Sequence, residues 1–310
     1  MSGNFDRDAS TILLCVSGSR SYGTATPASD YDYRGVCIPP AEYFLGYFAK
    51  FEQFTESEPD DKVVYDIRKF FTLAEKANPN VVESLFVRDC DIVELTTLGE
   101  VLLENRDLFL SQRVFSTFTG YAHAQLKRLQ SHRGWLLNPP GDKPRREDYG
   151  LPEMSKADQR QLQGQIQSVE SKNYEISDNM MYYITQEKAY SSALKNWHSY
   201  QQWKKNRNPD RAAMEAKFGF DGKHASHLIR LSRSCIEVLQ GKGLRVYRDD
   251  AEELLAIRNG AWSYDRLMEE SSKLYAEAKQ ALEVSPIPKQ PDLTKLDNLC
   301  MRLVRKHLNL

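Results

Sequence analysis

The sequence predicts an α+β protein in which a small strand-rich domain precedes a mainly α-helical one. Three observations predict it. Runs of β-branched and aromatic residues bounded by turn formers fall at 11–17, about 31–38 and 62–68, the signature of strands. From Phe70 the apolar residues shift to helical spacing. Beyond Ser111 nothing reads as sheet. The change near residue 110 sets the expected boundary, with 1–110 as the first domain and 111–310 as the helical one.

Each element follows in order. Ile12–Val16 is a continuous apolar run and reads as a buried strand. The Ser/Thr/Gly/Pro-rich turn after it leaves room for only a short helix from about Ser19. The acidic stretch Glu52–Asp61 reads as a solvated loop between the second and third strands, Asp60 and Asp61 included. Phe71–Ala77 is helical and stops at Asn78-Pro79, and Val81–Phe86 starts a new turn. Asp91–Leu95 fits an extra edge strand, and Leu98–Leu110 an amphipathic helix. Helical patterns then cover 111–132, 155–204, and about 223–240, 249–258, 262–283 and 292–308. Gly134–Pro152 holds four of the 13 prolines and reads as a long loop, a kind of segment that usually carries function or moves.

Composition narrows the function classes. A hydrophobic fraction of 41% and a charged fraction of 27% over 310 residues exclude a disordered chain. A formal net charge of -1 excludes whole-molecule attraction to nucleic acid, so any phosphate-binding surface comes from local segregation of charge. Five scattered cysteines without a CxxC pair exclude a zinc ribbon and a disulfide framework, and fit a reducing compartment. The first residues lack a basic-then-apolar signal segment, and no apolar run is long enough to span a bilayer. The expectation is a cytoplasmic protein with no membrane partner.

The chemistry concentrates in Gly18 to Asp32. Strand alternation puts Asp30 and Asp32 on one face and Tyr31 and Tyr33 on the other. Neighbouring carboxylates repel unless a cation lies between them. Magnesium prefers such oxygens and keeps places for substrate phosphates. Gly18 admits a phosphate close to the backbone, and Ser19 adds a hydroxyl at a helix start. Neither GxGxxG nor GxxxxGK[ST] is present, which excludes Rossmann and P-loop phosphate sites. Asp66, a lone acid inside Val63–Ile67, is the expected third carboxylate.

Strand, Gly-Ser, ten residues, Asp-x-Asp and a later strand acid together resemble nucleotidyltransferases of the DNA polymerase β superfamily. Gly18, Ser19, Asp30, Asp32 and Asp66 fall on its signature. Gly18–Val36, Arg68-Lys69-Phe70, Asn78–Leu85 and Lys223–Leu231 further resemble the bacterial and phage branch associated with RNA repair and RNA ligases. The resemblance implies a small mixed sheet flanked by helices, then a helical domain closing over the site. It implies transfer of a nucleoside monophosphate from a triphosphate, with pyrophosphate released, at Mg²⁺ or Mn²⁺ held by Asp30, Asp32 and Asp66 as catalytic acids.

Other residues carry paired readings. Arg20 lies in the turn within reach of a phosphate, Arg34 shares the Asp30/Asp32 face and acts there or pairs with one carboxylate, and Tyr22 and Thr24 order the turn. Lys69 contacts a phosphate or forms an ion pair with Glu83, and Glu83 itself caps, pairs or acts directly. Lys223, His227 and Arg230 recur at helical spacing on one face, a basic face suited to a triphosphate. His224 and His227 are otherwise structural histidines or metal ligands. Lys127, Arg128, Arg133, Lys143, Arg145 and Arg146, interleaved with Trp135 and Tyr149, suit single-stranded nucleic acid, or simply solvate a mobile loop. The expected function is nucleotidyl transfer from a nucleoside triphosphate to an RNA 3′ end. The alternatives are nucleotidylation of a protein, small molecule or nucleotide, or a nucleotide-binding regulator without turnover.

Overall fold

The computed structural model of the chain describes residues 5–58, 60–171, 177–207 and 209–310. Its strands are β1 (Thr11–Ser17), β2 (Asp32–Cys37), β3 (Gln53–Glu56), β4 (Asp61–Asp66) and β5 (Ile92–Leu95). They form one sheet of order β3-β4-β2-β1-β5. β1 runs antiparallel to both β2 and β5, β2 and β4 are parallel, and β3 is antiparallel to β4. The sheet is therefore mixed, as the resemblance implies, and a mainly helical region follows it.

β1 is buried along its first five residues because it is flanked by strands on both sides and covered on both faces. On one face Leu14, Cys37, Phe54 and Val64 form a cluster, with Tyr33 and Phe51 packed against it. The helix Ile67–Glu75 contributes the buried Ile67, Phe70 and Phe71, three residues of one helical stripe. β3 lies inside the stretch expected to be a solvated loop. Phe54 is its one buried side chain, which leaves too little alternation to announce a strand.

The strand-to-helix change falls between the end of β5 and the helix Arg113–Leu137. Compactness groups the chain along another line. Residues up to Gln130 join Phe220–Leu310 in one unit, and Ser131–Gly219 form a second. In the first unit the helices Gly222–Leu239, Ala251–Arg258, Tyr264–Glu283 and Leu293–Leu308 lie within two residues of the expected spans. In the second unit the helices are Lys156–Ser171, Asp178–Asn206 and Pro209–Phe218, with the end of Arg113–Leu137. The expected loop from Gly134 begins only after Leu137, and Arg146–Tyr149 make a short 3₁₀ turn within it.

The second unit is held by aromatic and ionic contacts. Trp135, Tyr200 and Trp203 meet with ring centroids 5.5–6.0 Å apart. Arg146 is buried and pairs with Glu187, which removes it from any nucleic-acid surface and corrects that expectation. All five cysteines are free thiols. Among the described residues no helix is long and apolar enough to cross a membrane.

Candidate active site

Register builds the site at one end of the sheet. Ser17, the last residue of β1, faces Asp32, the first of β2. In the parallel ladder Asp32 in turn faces Asp61, the first residue of β4. Residues opposite each other in a ladder share a face, so the Asp32 and Asp61 side chains lie on the same side of the sheet. Asp30 sits just before β2, exposed, close enough for its charge to act on Asp32.

The chain must turn sharply where β1 ends, and Gly18 makes that possible. Its φ is +67°, and a Cβ placed there would lie 2.2 Å from Oδ2 of Asp32. Any side chain would therefore displace the carboxylate as well as strain the backbone. Gly18–Ser21 then form a single helical turn, and Ser17 makes no side-chain cap at its start. Ser19 is fixed through its carbonyl, which accepts from the Thr24 N–H at 2.9 Å.

Burial pushes the Asp32 carboxyl above its ordinary value. Arg34 and Lys223 oppose that, while Asp30 and Asp61 add to it by like-charge repulsion. Arg34 pairs with Asp61 at 3.4 Å, the carboxylate-pairing alternative for that arginine. Lys223 thus sits within electrostatic reach of the acids although 191 positions separate it from Asp32 by number. Asp221 holds it there, accepting from the backbone N–H groups of Lys223 and His224 at 2.8 and 3.2 Å as the cap of the helix Gly222–Leu239.

Asp66, the expected third metal-holding acid, does not join this cluster. It stands opposite Cys37, five ladder positions from Asp61. At one strand rise per residue that is about 16 Å along the sheet. Asp66 is buried, caps the helix Ile67–Glu75, and binds Arg68 through both oxygens at 3.1 Å. Lys69 stays with it and pairs with Glu52 at 2.7 Å, not with Glu83 or the Gly18 turn. Asp61 is the acid that stands beside Asp32 instead. Sequence reasoning set it aside because a parallel register is invisible in a single chain.

The other arginines have partners of their own. Arg20 donates to the carbonyls of Asp30 and Ser29 at 3.2 and 2.6 Å and stacks on Tyr31, so it holds the loop that carries Asp30. Arg230 is only 3% exposed. It binds Glu83 at 2.6 Å, and the Tyr22 hydroxyl donates to the same carboxylate at 2.7 Å. The Arg230 guanidinium also lies 3.7 Å from the Tyr22 ring centre. Burial opposes its charge, and Glu83 and Tyr22 together outweigh that and raise its pKa above the ordinary value. Arg230 is thus a tie between the Gly18–Thr24 turn and the helical region, not an open triphosphate contact. The same turn accepts from the Arg248 N–H at Tyr22 O, 3.1 Å, and from Arg258 at Thr24 O, 3.4 Å.

In the second unit Arg133 donates to the Gly219 carbonyl at 3.0 Å, and Arg145 pairs with Glu147 at 2.7 Å. Lys143 is exposed, with its ammonium 6.0 Å from the Trp197 ring centre.

Residues 4–135 match the family described as the RNA repair pathway DNA polymerase beta family, RlaP. That span carries the whole sheet, the Gly18 turn, Asp30, Asp32 and Asp61. An uncharacterized 38.9 kDa protein of Enterobacteria phage T4, from the nrdC-mobD intergenic region, is 27% identical over 129 residues. That similarity covers 38% of this chain and 38% of the phage protein, well under two thirds of the relative's length. No solved structure matches. The RlaP match supports a nucleotidyltransferase role, in agreement with the resemblance carried by Gly18–Val36 and Asn78–Leu85.

Proposed function

We propose that the protein is a divalent-cation-dependent nucleotidyltransferase that moves a nucleoside monophosphate from a triphosphate to the 3′ hydroxyl of RNA. The observation that carries this reading is the seat of the Asp32 carboxylate against the Cα of Gly18, with Asp61 beside it in the ladder. The donor set fits Mg²⁺ or Mn²⁺: hard carboxylate oxygens from Asp30, Asp32 and Asp61, mutually repelling and half open to solvent. A cation bound there supplies Lewis acidity and neutralises phosphate charge.

The chain's own groups do the rest. Gly18 and Ser19 offer a turn free of bulk for the triphosphate, and Lys223 adds a positive charge beside it. Arg34 orients Asp61, the acid best placed to accept the proton of the attacking hydroxyl once the acceptor is bound. Lys143 with Trp197, and Trp135 with its aromatic neighbours, provide charge and ring faces of the kind that bind single-stranded RNA.

The assignment of the third acid has its own test. Asp61→Asn lowers labelled-nucleotide incorporation by about a hundredfold or more, the scale of a lost catalytic proton acceptor. Asp66→Asn instead keeps the cap, since asparagine caps a helix as well as aspartate, and destabilises the fold by about 1 kcal/mol through the lost ion pair with the half-exposed Arg68. Urea titration and a primer-extension assay on both variants separate the two. Strong loss of transfer in Asp66→Asn at unchanged stability sinks the assignment. Labelled product formed by the wild-type protein without RNA sinks the RNA acceptor.

A further inference from the structure

A cavity of about 560 Å³ opens in the first unit beside the helix Gly222–Leu239. Asn80, Tyr121, Gln125, Arg128 and His227 line it with polar groups, and no Asp or Glu does so among the described residues. We infer that this cavity is a second phosphate subsite, which holds a nucleotide phosphate while the Gly18–Asp32 turn holds the reacting one. The inference rests on the nucleotidyltransferase reading and deepens it.

Four donors converge there. Gln125 gives its amide oxygen to the His224 ring at 2.7 Å, which leaves its amide NH₂ for the cavity it lines. Tyr121 accepts from Asn78 at 3.1 Å, so its own O–H is available to donate. Burial pulls the His227 pKa well below its ordinary value, and the nearby charges of Arg230, His224, Lys223 and Arg128 push the same way. Its Nδ1 lies 3.3 Å from Nη2 of Arg230, a group that can only donate. The proton of the neutral ring therefore sits on Nε2, which becomes a donor. Arg128 adds the one full charge in the lining and is exposed at the rim.

Position ties the cavity to the candidate active site. Lys223 and His227 are one helical turn apart, and the Lys223 charge acts on both His227 and Asp32. An anion in the cavity thus lies one helical turn along from the lysine beside the acids. The phosphate has two sources, the backbone of the acceptor strand or the triphosphate tail of the donor nucleotide.

Binding titrations distinguish them without turnover. A fluorescent single-stranded 12-nucleotide RNA and a non-hydrolysable ATP analogue with Mg²⁺ serve as probes. Arg128→Gln weakens one of them by about tenfold, as expected for a lost charge-assisted contact. Tyr121→Phe weakens the same probe by about threefold without changing any charge. Lys279→Gln, an exposed lysine of the helix Tyr264–Glu283 outside the cavity, changes either probe by less than about twofold, the limit for diffuse surface charge. Loss confined to RNA assigns the acceptor strand, and loss confined to the analogue assigns the triphosphate tail. Equal effects of Arg128→Gln and Lys279→Gln, or no effect of Tyr121→Phe, overturn the subsite. Neither result depends on transfer activity, so failure here and failure of the nucleotidyltransferase reading are separately visible.

Discussion

Replacing Asp32 by asparagine lowers nucleotide transfer by about a thousandfold, the scale of a removed electrostatic element in an active site. The variant stays folded, because asparagine keeps the shape that packs against Gly18 and removes a charge that burial, Asp30 and Asp61 all disfavour. Two measurements check this together. Incorporation of labelled nucleotide falls, and the midpoint of thermal unfolding without metal is unchanged or higher. A third readout concerns the cation itself. Added Mg²⁺ raises the melting temperature of the wild-type protein by mass action, and this rise disappears in the variant. Incorporation at the wild-type rate, or an undiminished Mg²⁺ response, removes Asp32 from the metal site.

The second large effect lies in the core. Arg230 and Glu83 are buried together at 3% and 5% exposure. Arg230→Met alone leaves the Glu83 carboxylate with only the Tyr22 hydroxyl, and destabilises the fold by about 3–5 kcal/mol. Glu83→Gln alone strands the guanidinium and acts on the same scale. The double variant, with both charges removed, recovers most of that loss. Urea unfolding of the two single variants and the double variant forms the cycle that isolates the pair. Additive losses show that the two residues act independently and refute the tie. Tyr22 carries the effect toward the site: its hydroxyl is bound to Glu83, and its carbonyl is bound to the Arg248 N–H. The single variants therefore also loosen the Gly18 turn, which appears as a higher KM for the nucleoside triphosphate.

Much of this was legible in one chain because it is local. A strand, a glycine and two spaced acids lie within Ile12–Asp32, and proximity in sequence guarantees proximity in space. The late helices were legible from the helical spacing of their apolar residues. What escaped depends on pairing between distant segments. The choice between Asp61 and Asp66 turns on the β2–β4 register, and both acids sit in the same short strand. The partners of Arg230 and Arg146 lie 147 and 41 positions away, so those side chains looked like exposed phosphate contacts. The basic residues between Lys127 and Arg146 read as one loop, yet they serve different ends. Arg128 stands on a helix, Arg133 braces a carbonyl, and Arg146 is buried with Glu187.

The discontinuous make-up of the first unit has a consequence for biosynthesis. The strands and carboxylates leave the ribosome early, but Lys223, Arg230 and Arg248 emerge only after residues 131–219. At ribosomal speeds of 5–20 residues per second, roughly seven to thirty seconds separate the appearance of Glu83 from that of Arg230. During that interval the nascent sheet holds a half-buried carboxylate cluster and an unpaired Glu83. Closure of so long a span delays native contacts and slows folding. A chain released before residue 220 carries the nucleotidyltransferase motif in full and yet lacks the lysine and arginines that brace it. Synthesis through Arg248 is thus a condition for assembling the candidate site.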